Sequence, residues 1–505
     1  MTDEARLRLS QARPDNPEAV FRAALGMLKA GLPEDVLPMV EAAIARHPND
    51  ARLWQVAGLA HRDLEDSEKA MGAFGRAAQL ARNDALIAHS LARVTLEAGL
   101  PATALFERAL ALAPNDGSVR LGLAAALFAE GRLDDAVSRL DATLVDHPGW
   151  LAGHATLARL RWMSGDRENF AASLERALRT APRSLDLWLA LIGRLMEAER
   201  YEQALAAIAR ARAALGAGRH FDMLEAACAA EQGETQRADR LFVAAGPISH
   251  VNDAVRYVRH LLRANRPAEA AAFVEPRLSA DPSHVLVPYL ATAWRLTGDP
   301  RWAWLEGDPR LIGVYDIADK VGSLDALADC LRRLHIASDQ PLDQTLRGGT
   351  QTDGPLFARI EPEIRALRRA VLETVAAHVA QLPPRDPRHP QLGQPRAPIR
   401  FSGSWSVRLL DAGYHINHVH SAGWFSSAFY VALPESGLGG EPHAGWLTLG
   451  EVTELGLTLE PIRLIEPKPG RLVLFPSAMW HGTRPFDAGE RLTVAFDVAR
   501  PGSQT

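Results

Sequence analysis

At 505 residues the chain exceeds what one hydrophobic core usually serves, and its 47% hydrophobic and 23% charged residues are those of a folded protein, not of a disordered tail or a membrane channel. A formal net charge of -5, with lysine only at 29, 69, 320 and 468, leaves no basic footprint for nucleic acid. The opening MTDEARLRLSQARPDNPE has no apolar segment, and no later stretch reaches the ~18 uninterrupted apolar residues of a spanning helix, so a cytoplasmic protein without a membrane partner is expected.

The first part of the chain repeats. Turn clusters HPND, ARND, APND, DHPG and APRS recur at Pro48, Asn83, Pro114, Pro148 and Pro182, about every 34 residues, which is the mark of stacked supersecondary units. Within the units small residues return at matching places: Ala24, Gly58, Ala124 and Ala158 in a first helix, Ala43, Ala77 and Ala177 late in a second. Large apolar residues such as Trp54, Phe74, Leu127, Leu140, Trp188, Leu195 and Ile208 fall at three- and four-residue steps, the stripe of an amphipathic helix. Gly31, Gly131 and Gly165 supply the turn between paired helices, and proline stops each unit. From Pro182 to Pro282 there is room for three further, degenerate units.

These residues, most cleanly Trp54, Gly58, Ala70, Phe74 and Ala77, resemble the tetratricopeptide repeat family over roughly residues 15–215. The resemblance implies an all-α solenoid whose concave face holds a protein or peptide partner. The competing expectation is that the array packs on the rest of the chain or on a second copy.

Near RWAWLEGDPRLIGVYDIADK the rhythm fails, and the boundary is set at 1–300 for the array and 301–505 for a second domain. A helical piece (VGSLDALADCLRRLHIA), a polar glycine-rich loop (DQPLDQTLRGGTQTDG) and a helix over about 357–382 precede a proline-rich loop, PPRDPRHPQLGQPRAP. Eight short β-branched or aromatic segments follow, among them RFSGSWSVRLL, GYHINHVH, WFSSAFYVAL and RLTVAFDV. Eight strands suit a double-stranded β-helix, or jelly roll, with flanking helices from 315–382 on its outer face. Cys228 and Cys330 sit in apolar helical stretches and are expected to be buried packing.

On a strand, side chains two apart share a face, so His418 and His420 of NHVH leave one face while Asn417 and Val419 leave the other. His481 in MWHGTRPF is the expected third ligand, and Arg491 opens the last strand. Three ligands on one side of iron(II) leave positions for a bidentate 2-oxo acid and dioxygen, and an arginine grips a carboxylate bidentately.

The runs DQTLRGGTQT, FSGSWSVRLL, NHVHSAGWFSSAFYVALP, PKPGRLVLFPSAMWHGTRPF and ERLTVAFDV resemble the iron- and 2-oxoglutarate-dependent oxygenases, and more narrowly the oxygenase domains that follow tetratricopeptide repeats in bacteria. The resemblance spans about 315–500 and implies Fe(II) as cofactor, 2-oxoglutarate as co-substrate, His418 and His481 as ligands and Arg491 as the salt bridge to the acid. His420 stands where most of that superfamily has a carboxylate. It is the expected third ligand, with Asp497 and Glu441 as carboxylate alternatives. Tyr430 and Ser427 either contact the acid, as similar positions do in related folds, or bond and pack between strands. His415, on the opposite face from His418 by simple alternation, is expected to be a surface or loop residue. Arg347 either lines the mouth of the site or holds its loop, and Trp405, Trp424, Trp446 and Trp480 are expected in the core. A dioxygenase hydroxylating a protein side chain or a metabolite is the leading expectation. A three-histidine iron dioxygenase that does not use 2-oxoglutarate and a non-catalytic repeat scaffold are the alternatives.

Overall fold

The computed structural model describes residues 6, 12–342, 344–434, 438–439 and 441–501. The first helices of successive hairpins begin at Pro17, Ala51, Ala85, Gly117, Leu151, Leu185, Arg219 and Val251, in steps of 34 residues with two of 32. Four of the five turn clusters end in a side-chain helix cap, DHPG being the exception. The side chains of Asp50, Asp84, Asp116 and Ser184 accept the otherwise unpaired first amide N–H groups of the helices that follow. The prolines contribute as well: the indole N–H of Trp54 and of Trp188 donates to the carbonyls of Pro48 and Pro182, both at 2.9 Å. Close helix approach explains the small residues, since a Cβ on Gly58 would lie 2.9 Å from the Phe74 ring.

Inside each hairpin one turn residue takes the left-handed conformation. Gly31, Gly99, Gly131, Gly165 and Gly233 fill that place, and Glu65, Glu199 and Asn265 fill it elsewhere, with φ of 55°, 59° and 56°. The three expected degenerate units are therefore regular hairpins, beginning at Leu185, Arg219 and Val251. They are followed by the helix Val287–Thr297. No helix among the described residues is long and apolar enough to cross a membrane.

The C-terminal part is a curled antiparallel sheet. Its strands are β1 (Gly313–Asp316), β2 (Leu346–Gln351), β3 (Phe401–His418), β4 (Gly423–Ala432), β5 (Leu447–Leu449), β6 (Arg463–Ile465), β7 (Arg471–Pro476), β8 (His481–Thr483) and β9 (Glu490–Ala499). They lie in the order β1-β7-β4-β9-β3-β8-β5-β6, with β2 added on β3. Two expected strands, RFSGSWSVRLL and GYHINHVH, are one 18-residue strand that pairs with β9 along its first part and with β8 at its end. Two strands were not foreseen. The GVYD segment is β1, and the glycine-rich LRGGTQ, expected as a loop, is β2.

Alternation sorts the faces. On β9, Leu492, Val494, Phe496 and Val498 pack outward against Leu327, Leu331, Leu367 and Val371 of the flanking helices Leu324–Arg332 and Pro362–Gln381. Arg491, Thr493, Ala495 and Asp497 of the same strand face an inner cavity. Cys228 and Cys330 are buried and unbridged, and burial pushes the Cys228 thiol up to about 12.

The two parts meet along the hairpin turns. Arg400 donates to the Gly31 carbonyl, Arg368 pairs with Glu65, the Ile360 N–H donates to Ala98, and Arg347 pairs with Glu199. Arg347 thus ties β2 to the array. At the far end Val452, Leu455 and Trp480 share one apolar core with the array residues Val258, Leu290 and Trp294.

Candidate metal centre

His418 ends β3 and His481 opens β8, and the two are register partners across that ladder. His420 lies two residues beyond His418, where its N–H donates to the Ser477 carbonyl. One ring nitrogen from each of the three lies within 4.8 Å of the other two, and the ring centroids are 4.2 to 5.2 Å apart. In all three the Nδ1 atom is engaged elsewhere. That of His418 faces the Ile416 carbonyl at 2.7 Å, that of His481 the Met479 carbonyl at 2.9 Å, and that of His420 the Asp497 carboxylate at 2.8 Å. Carbonyls and a carboxylate only accept, so Nδ1 carries the proton and Nε2 presents its lone pair to the centre. Carbonyl or carboxylate support of this kind is what metal-bound imidazoles have.

The electrostatics favour the neutral form for two of the three imidazoles and differ for the third. Burial, with His420 adding, pushes His418 down to about 3, and burial also drives His481 far below its ordinary value. Burial pulls His420 the same way, but the attraction and hydrogen bond of Asp497 outweigh it and hold this imidazole above its ordinary value. Asp497 is itself held by the Ser426 hydroxyl at 2.6 Å. Its carboxylate is thus taken up behind His420, and the donor cluster contains imidazoles alone. Glu441 is exposed on a loop and lies outside the cluster.

Across the same cavity, which encloses about 60 Å³, lies Arg491. It is 2% exposed, and its guanidinium stacks over the Tyr430 ring with 5.1 Å to the centroid. Its Nε has no hydrogen-bond partner within the protein, while the Tyr430 hydroxyl interacts with the guanidinium. A buried guanidinium N–H left open beside the cavity calls for an acceptor from outside the chain. Ser427 differs, because its hydroxyl donates to the Phe496 carbonyl and accepts from the Phe496 N–H, at 2.9 and 2.8 Å. Of its two expected roles, bonding between strands is the one seen.

His415 corrects the simple alternation. The register shifts between His415 and His418, and the bulge brings the His415 ring to 5.9 Å from that of His418, stacked, inside the cavity. Its Nδ1 has no partner, and burial drives the imidazole far below its ordinary value. It is a fourth cavity imidazole, not a surface residue. Ser426 and the bond from Asp497 to His420 had no sequence signal beyond strand-face parity. Among the tryptophans, Trp424 and Trp480 are buried, as expected. Trp405 is half-buried and borders the cavity, with its ring 5.7 Å from that of His420, and Trp446 is half-buried against His443.

Comparison with known proteins bears on both parts. Residues 403–497 match a family model described as "Putative 2OG-Fe(II) oxygenase", and residues 102–160 match the tetratricopeptide repeat model. None of the curated proteins matches the chain. Among solved structures, the tetratricopeptide repeat protein YrrB is 20% identical over 38% of this chain and 97% of its own, with a TM-score of 0.30. A thermophilic repeat protein from Thermus thermophilus is 24% identical over 32% of this chain and 88% of its own, at 0.27. One from Parabacteroides merdae is 16% identical over 48% and 96%, at 0.30.

Proposed function

We propose that the chain is an iron(II)- and 2-oxoglutarate-dependent dioxygenase that acts in the cytoplasm and hydroxylates a protein side chain or a metabolite. The array, divided from the catalytic domain near residue 300, serves in this reading as its protein-interaction part. The observation that carries the reading is the convergence of His418, His420 and His481, each with Nδ1 committed, opposite a buried arginine with an open donor. Such a donor set suits a divalent transition ion with open positions. When bound, iron(II) with the oxo acid supplies oxidative decarboxylation, in which one oxygen atom of O2 enters a substrate C–H bond and the other enters succinate, with release of CO2.

The chain's own residues do the rest. Three neutral imidazoles leave the ion its full double charge, which favours a dianionic acid over a neutral ligand. Arg491 offers a charged N–H to the far carboxylate, in a cavity whose burial strengthens the bond, and Tyr430, stacked under the guanidinium, adds its O–H in this reading. Asp497, with Ser426 behind it, holds the proton on His420 Nδ1 and keeps Nε2 aimed at the ion. Trp405 and Phe475 wall the cavity against water.

The absence of a carboxylate from the donor cluster favours a second reading, a three-histidine iron dioxygenase in which Arg491 holds the substrate's own carboxylate. Anaerobic titration with iron(II) and 2-oxoglutarate separates the two. The expected result is a visible charge-transfer band that His481→Ala abolishes and that needs more 2-oxoglutarate in Arg491→Ala. Bound iron without a band, and turnover without succinate, would favour the second reading. No bound iron would overturn both.

A further inference from the structure

The cavity around the imidazoles is small, and beside it lies a larger one of about 740 Å³ between the array and the sheet. Its array wall includes Leu96, Leu121 and Phe128, and its other wall includes Leu334, Ile336 and the turn after β2. Ile336 is 43% exposed, high for isoleucine. Arg159 of the array and Asp353 of the domain pair at 2.8 Å at its edge, so the cleft exists only where the two parts are joined. Gln351 borders both this cleft and the imidazole cavity.

The backbone at Gln351 adds a second observation. The Thr352 N–H donates to the Ser406 carbonyl at 3.0 Å, in the register that sets Gln351 against Val407 and Gly349 against Leu409. Antiparallel alternation then turns the N–H and C=O of Gln351 and Gly349 away from β3. Among the described residues β3 is the only strand paired with β2, so this second edge carries no ladder. An unpaired strand edge accepts an added strand through its main chain.

We infer that the cleft seats an extended polypeptide as an added strand at the Gln351 end of β2, with one side chain turned past Gln351 toward His418, His420 and His481. This rests on the dioxygenase reading and names its substrate class. An edge of open amide groups reads main chain, which a small metabolite lacks. The apolar walls take the flanking side chains, and the joined walls explain why the array and the sheet form one chain. A polypeptide threaded here needs no free inner face elsewhere on the solenoid.

The test uses the full-length protein with iron(II), 2-oxoglutarate and O2, and a pool of randomised short peptides as probe, set against free amino acids and small organic acids. Succinate release and oxygen addition to the probe are measured. Peptide-dependent succinate with oxygen added to peptides is expected, and backbone N-methylation of the pool should lower it about tenfold or more, the loss of one or two main-chain bonds. Gln351→Trp, at the neck, and Ile336→Glu, on the far wall, should each do the same, and the Ile336 variant should keep the anaerobic charge-transfer band as proof of folding and acid binding. Peptide silence with an intact band overturns the inference and leaves the dioxygenase reading standing, as does turnover of small acids alone. Full activity of the N-methylated pool overturns the strand-addition geometry. Loss of the band in the unmodified protein falls on the dioxygenase reading itself.

Discussion

Phe74 in the array and Phe496 in the sheet are both fully buried, yet they meet different kinds of partner. Phe74 packs with Ala70 of its own helix and Val94 of the next hairpin. Phe496 meets Phe357 and Phe401, both far earlier in the chain, at 5.6 and 5.1 Å between ring centroids. A solenoid is close to a sum of neighbouring terms, whereas a curled sheet closes only when distant strands find each other together. The regular half should therefore tolerate local damage better than the half that bears the imidazoles.

The largest effect that would break or confirm this contrast comes from truncating those two rings. Each of Phe74→Ala and Phe496→Ala should cost about 3–5 kcal/mol. Hydrogen exchange should spread through the whole sheet for Phe496→Ala and stay within adjoining hairpins for Phe74→Ala. Equal spread in both would mean that the array and the sheet unfold as one unit.

The joint between them offers a pH test. Glu306 is buried just past the helix Arg301–Leu305, and desolvation pushes its carboxyl up to about 7 despite the Trp302 N–H, which bonds it at 3.0 Å. A raised folded value means that stability is fully present below the ordinary 4.5 and is lost as pH rises through about 7. Glu306→Gln should therefore raise the Tm relative to the parent at pH 8 and leave it nearly unchanged at pH 4.5, with a limit of about 3 kcal/mol. A pH-independent difference would show that the carboxyl stays ionised when folded.

Within the sheet, Asp497→Asn keeps the shape but replaces the acceptor behind His420. Metal affinity should fall about 10- to 100-fold while thermal stability changes little, as equilibrium titration would read. Unchanged affinity would reduce Asp497 to strand packing. The smallest effect belongs to the exposed seam: Arg365→Ala breaks an ion pair with Glu68 whose side chains are 54% and 52% exposed, and should cost less than about 1 kcal/mol. A larger loss on chemical denaturation would mean that the seam holds the two parts together electrostatically.

The seam also shows why part of the array escaped the sequence. Glycines at 31, 131 and 165 announce their turns, but Glu65, Glu199 and Asn265 hold the same left-handed place without glycine's ease. Glu65 and Glu199 are the ones that pair with Arg368 and Arg347 of the other half. A turn residue chosen for a distant partner carries no local signal. The same holds for LRGGTQ, whose polar, glycine-rich composition reads as loop, and whose strand state comes from pairing with β3 across a bulge at Gly348.

By itself the sequence determined what is local: the period of the hairpins, their caps and small residues, the alternation of β9, and the shared face of His418 and His420. Each depends on a repeat of 3.6 or 2 residues within one element, and the chain carries that repeat wherever it folds. Only the tertiary structure decided that His415 turns inward, that Asp497 stands behind His420, and that Gln351 lies between two cavities. Those facts depend on a register shift, on a bond between strands far apart in the chain, and on the docking of array against sheet, and no pattern of neighbours along the chain encodes them.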